Sequence, residues 1–277
     1  MVLTVAFLVA SVYAADELQI RTIAGTGATD GPVAGVMATG SSVGSGWAVA
    51  FDAQDRLHIT TVDGAVWRIG TDGTWEFLWR AEGGALLFGL AIDPLGSIVV
   101  SDQLSGNVYR IKADGTSAVI ASSLDYPTGL AIDAEGNVYV AEAARIRLLA
   151  PDGASRVYVD GVGGGSLAID ADGNVYAGDF AGSEVYRIST ERITKIADAS
   201  MLGIAVCPES TVYFTDLYRL QRVGTGVVAG GLERTFVGDD GPASEARFIT
   251  PLALACDSQN RLVIYDASAA KLRQVSQ

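Results

Sequence analysis

Histidine occurs once in these 277 residues and cysteine twice, while charged side chains make up only 18% of the chain. A single histidine closes most histidine-dependent routes to catalysis, since any Ser-His-Asp arrangement would have to recruit His58. Basic residues are scarce as well: 19 Lys and Arg stand against 32 Asp and Glu, a net charge of −13. So acidic a surface repels phosphate backbones and anionic headgroups, which excludes nucleic acid and membrane surfaces as expected partners. No Gly-x-Ser-x-Gly elbow is present. The glycine-rich stretches at 24–31 and 163–165 are not followed by a helix or by Gly-Lys-Ser/Thr, so they do not read as phosphate cradles. No Asn-x-Ser/Thr sequon occurs. With 49% hydrophobic residues, the chain is read as globular and not as disordered.

What the chain does have is a phrase repeated six times. It reads Trp47-Ala-Val-Ala-Phe-Asp52, Gly89-Leu-Ala-Ile-Asp93, Gly129-Leu-Ala-Ile-Asp133, Ser166-Leu-Ala-Ile-Asp170, Gly203-Ile-Ala-Val-Cys207 and Ala253-Leu-Ala-Cys-Asp257. The closing residues, called anchors below, recur roughly every forty positions with short β-branched runs between them, as propeller blades do. In the second repeat, Leu90–Ile92, Ile98–Val100, Val108–Ile111 and Ala118–Ile120 read as four strands joined by Gly- and Asp-containing turns. Three residues beyond the anchors stand Asp55, Gly96, Gly136, Gly173, Ser210 and Asn260, mostly types that tolerate the left-handed backbone of a tight hairpin. Asp170-Ala-Asp-Gly-Asn174 has the look of a calcium loop but lacks the downstream Glu, so it is read as a turn.

The sixth repeat stops at Lys271–Val275 without an outer strand, while Gln19–Ala24 has no blade of its own. Val228-Ala-Gly230, followed by Asp240-Gly-Pro-Ala243, echoes Ile23-Ala-Gly25, followed by Asp30-Gly-Pro-Val33, and Ala24 and Ala229 stand at equal distances from the next anchor. The expected fold is therefore all-β: a six-bladed β-propeller of four-stranded antiparallel blades, closed by the N-terminal strand completing the last blade. Residues 15–277 are expected to form this one domain. Val2–Tyr13 is an apolar run too short to span a bilayer, and Val12-Tyr13-Ala14 fits a small-residue cleavage site. Residues 1–14 thus read as a signal peptide, and the expected location is secreted or periplasmic. There, Cys207 and Cys256 would meet oxidising conditions. One occupies its anchor position and the other precedes it, so strand alternation points them differently, and two buried thiols are expected over a disulfide.

Pro127-Thr-Gly-Leu-Ala-Ile-Asp-Ala-Glu-Gly-Asn-Val-Tyr-Val-Ala-Glu142 resembles an NHL repeat, as do 89–102 and 170–179. Asp240–Pro251, with its Asp-Gly-Pro-Ala and Ala-Arg-Phe elements, is similar to bacterial members. The resemblance covers residues 19–277 and implies the propeller fold; it is poor in functional content, because the motif is structural. Proteins of this architecture include protein-binding sensor domains, RNA binders, lactonase-like and strictosidine-synthase-like enzymes, and amidating and streptogramin lyases. The lyases depend on histidines, and His58 sits at a strand position aligned with Ile98, Val138, Val175, Val212 and Leu262; a core role is expected for it. Gluconolactonase-type propellers hold a divalent ion with Glu, Asn and Asp. Here the position that would supply Asn carries Trp47, Phe88, Thr128, Gly165, Leu202 and Leu252, so no metal and no cofactor are expected.

Two rings of residues should face the mouth. The loops entering the inner strands bring Trp47, Phe88, Thr128, Gly165, Leu202 and Leu252; the ends of the second strands bring Thr61, Asp102, Glu142, Asp179, Asp216 and Asp266. Together they suggest an acidic funnel with an apolar floor, suited to a small-molecule or peptide ligand, in a chain expected to be a monomer. The alternative is a metal-independent hydrolase, lyase or cyclase in which Glu142 and Asp179 perform acid–base chemistry. Equally, these acids recur as strand-end caps that bind backbone N–H groups. Glu142 departs from the Asp pattern and is the first candidate for a chemically distinct role. Trp67, Trp75 and Trp79 are read as core packing before any surface platform.

Overall fold

A computed structural model describes residues 18–179 and 182–277; the apolar run at 1–14 lies outside the described residues. Six antiparallel sheets follow one another around an axis. Blades 1 to 5 are continuous four-stranded meanders at 49–80, 87–121, 130–160, 164–198 and 201–230. In blade 6, Pro251–Cys256 is innermost, followed by Leu262–Asp266 and Lys271–Ser276. Gln19–Ala24 then pairs antiparallel with Lys271–Ser276 and supplies the fourth strand, as the echo between the two ends implies. A two-residue fifth strand, Gly241–Pro242, lies beyond it.

The echo is structural in detail. Ala24 and Ala229 are both buried, and Gly25 and Gly230 both adopt positive φ, at 97° and 90°. A Cβ at either glycine would run into a backbone carbonyl, Ala270 O at 2.3 Å or Tyr218 O at 2.2 Å. Short 3-10 turns at Ala38–Gly40 and Ala243–Glu245 follow at matching distances. Arg273, fully buried, ties the closing loop down: it donates to Asp239 Oδ1 (2.9 Å), Arg247 O (2.8 Å), Val237 O (3.2 Å) and Gly238 O (3.1 Å). Thr22 of the N-terminal strand donates to the other Asp239 oxygen at 2.6 Å.

The hydrophobic core is divided into six clusters, one per interface between neighbouring blades. Strand alternation explains the division. Residues in phase with the anchor, such as Ala131 and Ala205, face the next blade, while those one position earlier, such as Leu130 and Ile204, face the previous one. Each fully buried Val, Leu or Ile in these clusters contributes about 1.5–3 kcal/mol through removal from water. Trp75 is almost completely buried and Trp67 nearly so, packed edge-on against Phe77 at 5.2 Å, which confirms their core role. Trp79 is partly buried against Tyr109.

The anchor turns match their reading. All six residues three beyond the anchors have positive φ, from Asp55 at 56° to Gly136 at 84°. Each donates its N–H to the anchor carbonyl. The anchor carboxylates close the same turns: Asp170 Oδ1 accepts from Asp172 N (3.0 Å) and Asn174 N (2.8 Å), which settles the calcium-like stretch as a turn.

Two expectations need correction. Cys207 and Cys256 form a disulfide, with Cα atoms 5.2 Å apart. Their one-residue offset relative to the anchors, taken to separate them, is what brings them together. Anchor-phase residues of blade 5 face pre-anchor residues of blade 6, because neighbouring blades stack face to face. His58, in turn, pairs with Ala50, whereas Leu57 pairs with Phe51. Its equivalents are therefore Val99, Tyr139, Tyr176, Tyr213 and Val263, one position later than the sequence alignment placed it.

Candidate functional site

The inner strands converge on the axis, and their opening residues crowd one another. A Cβ on Gly89 would stand 2.3 Å from Thr128 O, one on Gly129 2.6 Å from Gly165 O, and one on Gly203 2.7 Å from Leu252 O. The repeated glycine is thus the residue that lets adjacent blades approach at the centre. A relay of hydroxyls, not foreseen from the sequence, stitches the blades there. Ala48 N donates to Thr60 Oγ1 (3.1 Å), whose hydroxyl donates to Leu87 O of the next blade (3.0 Å). Gly89 N donates to Ser101 Oγ (2.9 Å), whose hydroxyl reaches Thr128 O. Thr128 in turn donates to Gly165 O at 3.1 Å. The signal was legible: Thr60, Ser101 and Thr215 stand at the same distance beyond their anchors in three repeats.

Above this ring lies a cavity of about 170 Å³. Five entering residues, Trp47, Phe88, Thr128, Gly165 and Leu252, line it as expected. The backbone of Leu202 belongs to the inner strand Met201–Val206, but its side chain lies outside the described residues. Trp47 and Phe88 stack with ring centroids 4.4 Å apart and planes 21° apart. The Trp47 indole Nε1, like that of the core residue Trp75, is buried without a hydrogen-bond partner among the described residues. Among the described lining residues no side chain titrates.

The carboxylates of the other ring are elsewhere. Asp102 is buried and accepts from Leu86 N (3.0 Å) and Leu104 N (3.1 Å). Asp266 is fully buried and accepts from Ile249 N (3.0 Å) and Thr250 N (2.7 Å). Burial pushes its carboxyl above the ordinary value, against the pull of those N–H groups and of Arg273. Asp216 accepts from Ser200 N (3.2 Å), Gln221 Nε2 (3.0 Å) and Arg219. Thr61 donates to Asp63 at 2.6 Å.

Glu142, like Asp216, is held by arginine. Its oxygens take Arg147 Nε and Nη2, each at 3.1 Å, with Arg145 Nε 3.6 Å away and Asp125 N at 3.3 Å. Asp179, half-buried, ends its strand beside Tyr186. None of these acids is among the residues lining the axial cavity. Asp102, Glu142, Asp216 and Asp266 join the loop entering their blade to that blade's second strand, as the capping reading expects.

His58 lies on the opposite, anchor face, buried to 2% exposure, with Nδ1 3.0 Å from Arg56 O. Burial pushes its pKa down to about 4, against the attraction of Asp52, so it is neutral at pH 7. Among the described residues no group of His, Cys, Asp and Glu is arranged to hold a metal ion, and no helix is long and apolar enough to cross a membrane.

No protein-family model matches this sequence, and no curated protein matches it. Solved structures share the fold. A protein of unknown function from Bacteroides thetaiotaomicron superposes with a TM-score of 0.76 at 17% identity, over 94% of this chain and 76% of that one. An auxiliary nutrient binding protein from Bacteroides ovatus gives 0.71 at 14%, over 94% and 76%. Virginiamycin B lyase from Staphylococcus aureus gives 0.65 at 14%, over 94% and 100%. At such identities the likeness is one of fold, and the same six blades serve proteins named for binding and proteins named for catalysis.

Proposed function

We propose that this propeller binds a small uncharged ring compound in its axial cavity. The observation that carries the reading is the Trp47–Phe88 stack over that cavity, with an unpartnered indole N–H and no titrating side chain in its described lining. An apolar protein cavity of about 150 Å³ takes up one benzene-sized molecule, so the space suits a single ring. A peptide would enter by one side chain only. An aromatic or sugar ring would stack on the aromatic pair. A hydrolase, lyase or cyclase working through Glu142 would first have to break its paired bonds to Arg147. Binding needs no such rearrangement, and the structural relatives include nutrient binding proteins.

A location outside the cytoplasm goes with this reading, supported by the apolar 2–13 run before Ala14 and by the disulfide. The test is titration of the protein with phenol and with methyl glucoside, followed at the Trp47 Nε1–H resonance. Saturable perturbation of that resonance, lost in Phe88→Ala, is expected for one of the two. Unperturbed Trp47 with both would reject the proposal.

A further inference from the structure

The six blades do not contribute equally to the axial cavity, and its hydroxyl side chains gather on one side. Four residues before the anchors stand Ala48, Gly89, Gly129, Ser166, Gly203 and Ala253, so only blade 4 carries a polar side chain there. One position earlier, blade 4 also has the smallest residue of the entering ring, Gly165. Ser166 lines the cavity and is partly exposed. Among the described lining residues, Ser166 and Thr128 of the neighbouring blade carry the hydroxyls; the walls elsewhere are Val49, Leu90, Ile204, Leu254 and similar apolar groups.

The relay of hydroxyls that stitches the blades is interrupted at this point. In blades 1, 2 and 5 the backbone N–H four residues before the anchor is taken by a second-strand hydroxyl, that of Thr60, Ser101 or Thr215. In blade 4 the corresponding second-strand residue is Gly178, which has no side chain to offer. The two strands run close together: a Cβ on Gly165 would stand 2.0 Å from Gly178 O. The Thr128 hydroxyl is spent across the blade boundary on Gly165 O at 3.1 Å. The Ser166 hydroxyl makes no hydrogen bond with another described residue, which leaves it available to a ligand.

In a ring of six, blade 4 stands opposite blade 1, so Ser166 lies across the axis from Trp47. We infer that Ser166 sets the specificity of the axial site, and that the ligand is an aromatic ring bearing one oxygen at its edge, a phenol and not a sugar. The inference rests on the reading of that cavity as a binding site. A ring lying against Trp47 and Phe88 turns its far edge towards blades 3 and 4, where the Ser166 hydroxyl can donate to or accept from its oxygen. A sugar carries hydroxyls all around its ring. Most of them would meet Leu90, Ile204, Leu252 and Leu254 without a partner, and burying an unpaired hydroxyl is unfavourable.

The test is titration of the full chain with phenol, toluene and methyl glucoside, followed at the Trp47 Nε1–H resonance and by calorimetry. Phenol sheds water from its hydroxyl on entering, so a cavity without a partner for that hydroxyl would favour toluene. The wild type is expected to bind phenol at least as tightly as toluene, and methyl glucoside more weakly than either. Ser166→Ala brings in the side chain that blades 1 and 6 carry at the same place, and so is compatible with folding. It should weaken phenol binding about tenfold, the loss of one hydrogen bond, and leave toluene unchanged; a purely structural role would weaken both alike. Tighter wild-type binding of toluene or of methyl glucoside than of phenol, or the same phenol-to-toluene ratio in Ser166→Ala as in wild type, overturns this inference while the axial site stands. Saturable binding of none of the three overturns the site and the inference with it.

Discussion

At their anchor ends the six inner strands repeat one residue almost without variation; at their entering ends they carry Trp47, Phe88, Thr128, Gly165, Leu202 and Leu252, nearly all different. The anchor carboxylates all do the same work, closing a turn through backbone N–H groups. The acids that end the second strands are similarly committed to N–H groups and arginines. The entering ring instead surrounds a cavity and leaves an indole donor unpaired. Positions that recur in every blade hold the ring together, and positions that vary shape what the ring can bind. Cys207 shows the same rule from the other side: the one anchor that departs from Asp makes a cross-blade bond.

The comparison can be pressed at several points. Replacing both Cys207 and Cys256 by Ser should cost about 4 kcal/mol in chemical denaturation, as expected for a disulfide closing a loop of this size, with phenol or glucoside binding at the axis unchanged. Asp102→Ala strands Leu86 N and Leu104 N and should cost about 1–3 kcal/mol, again without touching ligand affinity. Trp47→Ala should weaken binding of the ring compound about tenfold or more, the loss of one aromatic stack, while the unfolding midpoint moves less than in Asp102→Ala.

The smallest effect is one of pH. Burial pushes the Asp170 carboxyl up, but the hydrogen bonds from Asn174 and Tyr176 together hold it below its ordinary value of 3.8. Its stabilisation is therefore present above that value and lost as pH falls through the folded-state pKa. Asp266, raised by burial, contributes in the opposite sense: its share favours the folded state at low pH and fades as pH rises through its folded-state pKa. Between pH 5 and pH 3, Asp170→Asn should flatten the loss of denaturant stability, and Asp266→Asn should steepen it.

Most of the architecture was legible because one phrase, one turn residue and one strand-end acid recur at fixed spacing. The closure by Gln19–Ala24 followed from the doubled Ala-Gly and Asp-Gly-Pro elements. What escaped the sequence were relations between blades. The pairing of Cys207 with Cys256 depends on which face of one sheet meets which face of the next, and phase within a single strand does not state that. The alignment of His58 slipped by one residue although it was legible: His58 stands as far beyond its anchor Asp52 as Val99, Tyr139, Tyr176, Tyr213 and Val263 stand beyond theirs. Of the entering ring read from the sequence, Trp47, Phe88, Thr128, Gly165 and Leu252 line the axial cavity. The commitment of the acids to N–H groups was foreseen as one of two readings, and only the hydrogen-bond partners separate them.

The most direct test of the account measures axial-ligand binding and thermal stability together in Glu142→Gln and Trp47→Ala, by calorimetry with the ring compound that perturbs Trp47. If the recurrent acids are structural and the varied ring is the site, Glu142→Gln binds like wild type but melts at a lower temperature, and Trp47→Ala loses the ligand. Loss of binding in Glu142→Gln with an unchanged melting temperature, alongside intact binding in Trp47→Ala, would contradict it.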